Sequence, residues 1–204
     1  MLDIISFFAG KTMAQGGPDT PDTPIILPSG YKKVKYMSHV GSACISVPKP
    51  NLIYLTASGK LLNTDANAKI FGYRRKNTDP TDFNVGYSTT GGLQAWQRRD
   101  SQVNLYPSQY VAGEDFVISS ILYHTKTTAF IGAYYSLSDA IYEPWNGDVY
   151  YIKGLDLTGE TAFNYVPCVK EEDETPGYFE VVSGTFYGTV ISSSGGKIVP
   201  GPEG

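Results

Sequence analysis

The chain has only two histidines and two cysteines, the side chains most often used for nucleophilic or zinc chemistry. Neither His39 nor His124 stands in a Gly-x-Ser-x-Gly or Cys-His context, so neither is predicted to be the base of a nucleophilic triad. His124 ends a strongly apolar run, which favours a structural or surface role. Two histidines without further Cys or His neighbours also argue against a zinc site.

Glycoside hydrolysis is the enzymatic activity to consider for a β-rich chain, because it needs two carboxylates across the scissile bond. The most acidic stretch, residues 171–174, is followed by Pro176 and Gly177, which indicate a loop rather than the interior of a strand. A solvated loop is the simpler interpretation of these charges. No catalytic pair can be nominated, and we expect the protein not to be an enzyme.

Aromatic side chains are the remaining candidates for chemistry, since exposed rings stack on the faces of sugars. Core packing is the commoner role in a chain with 16 tyrosines. The candidate glycan contacts are Trp96, Trp145, Tyr134, Tyr135 and Tyr142.

Two loops rich in Asn, Asp and Thr, residues 63–67 and 77–82, have the oxygen ligands that calcium prefers, but turn capping explains them more simply. We therefore expect no cofactor, with calcium as the alternative. Cys44 and Cys168 permit one disulfide, although two free thiols are the favoured interpretation for a cysteine-poor chain of this size.

The elements that would position these residues are strands. From Tyr31 onward, short β-type runs are separated by turn signals about every ten residues, as in a sandwich or jelly roll. The run 116–123 is apolar on both faces, which predicts a central strand covered on both sides. Asn146-Gly147 and Ser183-Gly184 are predicted to form two-residue hairpin turns. We expect an all-β fold of two packed antiparallel sheets.

The N-terminus is different in kind. A short apolar segment, residues 1–17, precedes a Pro-rich spacer, residues 18–30, and the predicted β-sandwich occupies 31–202. Asp3 and Lys11 argue against a signal peptide. So short an apolar segment needs a partner surface. The predicted anchor residues are Leu2, Ile4, Ile5, Phe7, Phe8 and Met13.

The overall composition limits the partners. A net charge of -4 argues against nucleic-acid binding, which requires a concentrated basic face. No apolar run approaches the length of a membrane span, so membrane insertion is not expected either.

Three separated stretches resemble one family. Residues 27–45 are similar to the opening of laminin-G-like, concanavalin A-like jelly rolls found in bacteriophage and gut-bacterial surface proteins. Residues 130–160 resemble the core of that family, with Trp145 and Gly147 among the matching positions, and the Val-Pro-Cys and closing hairpin in 163–188 resemble its ending. The resemblance covers residues 27–202. The sequence departs from the family at 43–47, where an Asp of the usual pattern is absent.

Members of this family bind glycans, bind proteins or build surfaces. A short apolar N-terminus before a Pro-rich spacer resembles the docking peptide of phage head-fibre, decoration or tail proteins. The resemblance therefore implies a non-enzymatic phage protein on the virion surface, anchored to capsid or tail proteins and forming a homo-oligomer. The alternative is a receptor-binding lectin for host-surface polysaccharide.

Overall fold

A computed structural model describes residues 25–48, 52–73, 83–97, 100–104, 110–123, 128–136, 140–156 and 158–204. All six predicted anchor residues, the first part of the spacer, His124 and the loop 77–82 lie outside these ranges.

Strands are the only regular secondary structure in the described part of the chain, so the predicted all-β class is confirmed. In chain order they are β1 (Tyr31–Lys33), β2 (Met37–Pro48), β3 (Leu52–Leu61), β4 (Ala68–Tyr73), β5 (Phe83–Ser88), β6 (Gly92–Gln97), β7 (Asp100–Asn104), β8 (Asp115–Tyr123), β9 (Thr128–Ile131), β10 (Tyr134–Ser136), β11 (Ala140–Tyr142), β12 (Gly147–Leu155), β13 (Thr161–Lys170), β14 (Thr175–Glu180), β15 (Thr185–Tyr187) and β16 (Val190–Pro200).

The long strand β2 connects two groups of strands. Its first residues pair with β12 and its last residues pair with β9, while β16 runs along its other side. The strand bends at Gly41, where φ is +66°, and β16 bulges opposite this bend between Ser193 and Lys197. Such a bend lets one strand contribute to both layers of a folded sheet.

The strands form one continuous 14-stranded sheet, in whose order β15, β14, β13, β12, β3 and β8, with β1 beside β13, lie on one side of β2, and β9, β4, β5, β6 and β7 lie on the other. We call these two parts of the sheet its layers. All pairings between these strands are antiparallel. The layers face each other across a shared core, in which Phe71 of β4 lies 6.2 Å, ring to ring, from Phe163 of β13. The architecture is an antiparallel β-sandwich compatible with a jelly roll.

That the apolar run 116–123 is a central strand covered on both sides stays a prediction. This run is β8, which pairs with β3 along its whole length. Phe116 and Ile118 are buried in the core, but Val117 on the opposite face is only half buried.

The two predicted hairpin turns had different outcomes. Ser183-Gly184 does turn a hairpin, between β14 and β15, although the turn has four residues, 181–184, with Gly184 at φ +69°. Asn146-Gly147 does not form a turn, because Gly147 is already the first residue of β12. A Cβ at Gly147 would lie 2.0 Å from the Lys60 carbonyl oxygen, so close strand approach accounts for this glycine.

The acidic run 171–174 forms the exposed turn between β13 and β14, as predicted. Pro176 and Gly177, however, lie within β14 rather than in a loop. The neighbouring strand β15 begins to pair only at Tyr178, so no backbone hydrogen bond to β15 is lost at Pro176.

Candidate functional site

The small hairpin of β10 and β11 brings together three of the five aromatic residues predicted to contact glycans. Tyr134 is the register partner of Tyr142, and Tyr135 is the partner of Ile141. Tyr142 is 42% exposed, whereas every other aromatic side chain that the structure describes is buried or half-buried. The hairpin therefore presents an aromatic side chain at the protein surface.

The next residue, Glu143, has an unusual backbone conformation. Its φ is +45°, in the left-handed region, which costs a residue other than glycine about 1–3 kcal/mol. The conformation is held by neighbouring backbone, since the Glu143 carbonyl accepts a hydrogen bond from the Lys69 amide at 2.9 Å, and Lys69 bridges to Pro144. The start of β4 thus fixes the chain where it leaves β11.

The Glu143 carboxylate is also paired with a buried lysine. Lys69 is 4% exposed, and its Nζ lies 3.2 Å from Glu143 Oε2 while it donates to the Tyr87 carbonyl, also at 3.2 Å. Burial lowers the pKa of Lys69, and the adjacent Glu143 carboxylate opposes that shift. A buried cation paired with a half-buried anion holds the carboxylate in one orientation at the surface.

A second set of hydrogen bonds supports the same carboxylate from the side. Asn67 Nδ2 lies 3.4 Å from Glu143 Oε1, and Asn67 Oδ1 accepts from the amide and the hydroxyl of Thr89 at 3.0 and 3.3 Å. Residues near the start of β4, in the turn after β5 and just after β11 therefore converge on one carboxylate. We call Tyr142, Glu143, Lys69, Asn67 and Thr89 the Tyr142–Glu143 site.

Tyr142 was predicted from the sequence as a glycan contact, and Asn67 was noted only as part of the loop 63–67, for calcium binding or turn capping. Glu143, Lys69 and Thr89 were not predicted. Lys69 gave the one usable signal, because it is a charged residue inside the apolar run of β4. Glu143 gave no such signal, since the position of its carboxylate depends on a backbone conformation that is held by Lys69, 74 residues earlier in the chain.

Trp145 was wrongly assigned as a candidate glycan contact. It is fully buried, with its ring 5.5 Å from that of Phe116 and its Nε1 directed to the Asp148 carbonyl at 3.4 Å. A ring without an exposed face cannot stack on a sugar. Trp96 lies on β6 opposite Asn84 of β5, whereas β10 and β11 form a separate two-stranded sheet, and the side chain of Trp96 is outside the described part.

A second polar cluster lies on the outer face of β12, β3 and β8. A bulge between Val149 and Tyr151 sets Tyr150 apart, and its hydroxyl donates to Asp115 Oδ1 at 2.5 Å. Lys60 Nζ lies 3.3 Å from the same oxygen. Burial, followed by the interaction with Asp115, raises the pKa of Tyr150. These groups bond to one another, which is consistent with a structural role in joining the three strands.

Among the described residues, the histidine and the cysteines, which are the side chains best suited to nucleophilic or acid–base chemistry, lie inside the sandwich. His39 is fully buried, and burial lowers its pKa to about 4. Cys44 and Cys168 are free and buried, and burial raises the pKa of each thiol to about 12. At neutral pH these groups are a neutral imidazole and two protonated thiols, none of which faces solvent.

In the described ranges, no three His, Cys, Asp or Glu side chains are grouped so that they could hold a metal ion. In the loop 63–67, Asn63 Oδ1 accepts a hydrogen bond from the Asp65 amide at 2.6 Å, as in an Asx turn. The described residues also include no helix long and apolar enough to span a membrane.

Comparisons of the chain with protein-family models, with curated proteins and with solved structures found no match. The all-β antiparallel sandwich is therefore the level at which the structure supports the resemblance noted in the sequence.

Proposed function

We propose that this chain is a non-enzymatic bacteriophage structural protein displayed on the virion surface, as a head fibre, a capsid decoration or a tail component. Residues 1–17 attach the protein to a capsid or tail partner. The Pro-rich spacer connects this segment to the sandwich, which is the domain displayed on the outside of the particle. The laminin-G-like resemblance over 27–202 and the apolar segment before the spacer support this assignment.

The observation that carries the non-enzymatic part is the use of reactive side chains in packing. His39, Cys44, Cys168 and Tyr178 are all fully buried. A catalytic group must reach its substrate within hydrogen-bonding distance, directly or through one water, and these side chains have no contact with solvent through which a substrate arrives. Their placement favours a stable scaffold.

Deletion of residues 2–13 tests the anchor. We expect the truncated protein to fold but to be lost from purified particles, because Phe7, Phe8 and their apolar neighbours would no longer bury surface against a partner. Ile26→Ser is the matched control, since Ile26 is an apolar side chain that is 88% exposed in the spacer. Incorporation of the truncated protein at the normal level would show that the anchor lies elsewhere.

The alternative function is that of a lectin that binds host-surface polysaccharide. The exposed Tyr142 next to a fixed carboxylate supports it, because sugar sites combine an aromatic face with oriented polar groups. A glycan array probed with the intact protein and with Trp96→Ala and Tyr142→Ala variants separates the two functions. A protein that serves only as decoration gives no sugar-dependent signal.

A further inference from the structure

We propose that the Tyr142–Glu143 site binds one uncharged, hydroxyl-rich ring, such as a neutral hexopyranose unit of a polysaccharide. This inference rests on the lectin alternative and assigns it a location and a ligand class. Tyr142 would supply the stacking face, Glu143 the hydrogen-bond acceptor for sugar hydroxyls, and Asn67 and Lys69 the support that orients the carboxylate.

Two features of the site, the backbone conformation of Glu143 and the burial of Lys69, are not explained by a gain in folding stability. Glu143 adopts a backbone conformation that L-residues avoid, and Lys69 carries a charge into a position that is almost fully buried. An apolar pair of similar volume at these positions would often leave a protein equally stable or more stable. The result of both unfavourable features is a carboxylate at the surface whose orientation is fixed before any ligand arrives, and such preorganisation favours binding.

The charge of the site selects the ligand class. Lys69 lies within 3.2 Å of the Glu143 carboxylate, so the pair is close to neutral as a unit and attracts neither cations nor anions strongly. Each carboxylate oxygen has more than one acceptor position, and Lys69 and Asn67 occupy one on each oxygen. The remaining positions accept hydrogen bonds from hydroxyl groups, which a neutral sugar has in abundance.

The aromatic component follows Glu143 directly in the chain. Tyr142 lies in β11, and the residues after Glu143 turn inward to the buried Trp145, whose amide donates to the Gly132 carbonyl at 2.7 Å. The segment therefore passes from a half-exposed ring to the core within three residues, with Glu143 between them. Tyr142 and Glu143 are consecutive residues on a segment that is hydrogen-bonded at both ends.

The test uses the full-length protein and affinity electrophoresis through gels that contain mannan, dextran or galactan, with alginate and heparin as charged polysaccharides. We expect retardation by at least one neutral polysaccharide and none by the charged ones. Tyr142→Ala should weaken binding about tenfold and Tyr142→Phe should retain it, because the ring rather than the hydroxyl makes the stack. Glu143→Gln should weaken binding to a similar or greater extent, since hydrogen bonds to a charged acceptor are the stronger kind.

Glu174→Gln is the matched control, because Glu174 is also a glutamate at positive φ, +56°, but lies in the exposed turn between β13 and β14. It should bind as the unaltered protein does. Tyr142→Ala is the decisive variant, since it removes an exposed side chain and leaves the Lys69–Glu143 pair intact.

The outcomes are distinguishable. Neutral-sugar binding that survives Tyr142→Ala would keep the lectin function and overturn this site. Absence of binding to every neutral polysaccharide, or equal binding to alginate and heparin, would overturn the ligand class. Neither result bears on the virion function, which particle incorporation tests separately.

Discussion

The Tyr178 hydroxyl donates a hydrogen bond to Nε2 of His39 over 2.8 Å, between two rings that are both fully buried. The direction of this hydrogen bond follows from the partner of the other ring nitrogen of His39. Nδ1 lies 3.1 Å from the Ala43 carbonyl, which can only accept, so Nδ1 carries the proton and Nε2 is the acceptor. The neutral imidazole thus joins the first half of β2 to β14, next to the bend at Gly41 where β2 passes between the layers.

The neutral His39 predicts a loss of stability in mild acid. Its pKa is about 4 in the folded protein, lowered by burial, against about 6.5 in the unfolded chain. The unfolded state therefore takes up the proton first, and the free energy of unfolding falls as the pH drops from about 6.5 to about 4. The shift corresponds to about 3 kcal/mol across that window. Urea unfolding at a series of pH values measures it.

The control for this titration is His39→Gln, which retains a donor and an acceptor but has no proton to gain. The variant should be less stable at pH 7 and should show a flatter dependence between pH 6.5 and 4.5. If the unaltered protein and His39→Gln lose stability in parallel over this range, His39 is not the titrating group.

Gly132 should be intolerant of any side chain. Its φ is +89°, and an added Cβ would lie 1.9 Å from His39 Nδ1, a ring that the surrounding core does not allow to move away. We expect Gly132→Ala to lower the free energy of unfolding by more than about 3 kcal/mol, since backbone strain and overpacking add.

Gly159 separates the two effects, because it has the same φ of +89° with nothing within 4 Å of an added Cβ. Gly159→Ala should cost only the backbone term, about 1–2 kcal/mol. Equal losses for the two variants, measured by urea unfolding at pH 7, would mean that His39 relaxes around the new methyl group.

Local sequence signals predicted the fold where the local chain determines the structure. Ser183-Gly184 turns a hairpin because glycine there takes a positive φ at no steric cost, and the turn lies between strands that are adjacent in sequence. Asn146-Gly147 has the same signal, yet a contact with Lys60, far away in the chain, decides the conformation instead. The alternation of apolar residues predicted strands without showing which of them lie at an edge.

The candidate site was less predictable for the same reason. Tyr142 could be nominated by residue type, but the burial of Trp145 follows from packing against Phe116 on a distant strand. The Glu143 carboxylate is held by Lys69 and Asn67, which are more than 70 residues away in the chain, and no short motif encodes contacts between residues so far apart.

Glu180 should hold the tip of the β14–β15 hairpin. It is 3% exposed, and its carboxylate accepts hydrogen bonds from the amides of Asn164, Val182 and Ser183 at 2.9, 2.9 and 2.6 Å. Burial raises its pKa, but these hydrogen bonds outweigh burial and leave the pKa below its usual value. Its contribution is therefore complete above about pH 4.5 and is lost as the pH falls through the folded pKa.

Glu180→Ala should cost about 2–3 kcal/mol at pH 7, because three donors lose a charged acceptor. Hydrogen exchange is the direct measurement, and we expect faster exchange at the amides of Asn164, Val182 and Ser183. Glu174→Ala, in the neighbouring exposed turn, should leave these amides unchanged. Unaltered protection in Glu180→Ala would show that the turn is held by its backbone alone.

The Lys69–Glu143 pair should respond unequally to the loss of either partner. The Lys69 side chain is 5% exposed and that of Glu143 is 29% exposed, so an unpaired Glu143 can be hydrated whereas an unpaired Lys69 cannot. Lys69→Met should change the free energy of unfolding by less than about 1 kcal/mol, since the removed charge is replaced by a buried apolar chain of similar length. Glu143→Gln should cost about 3 kcal/mol, because it leaves a buried cation without its counter-charge.

The double variant should recover most of that loss, and urea unfolding of all four proteins at pH 7 completes the double-mutant cycle. Equal and additive effects of the two substitutions would mean that the pair is not coupled, and that Glu143 is held by its backbone rather than by Lys69.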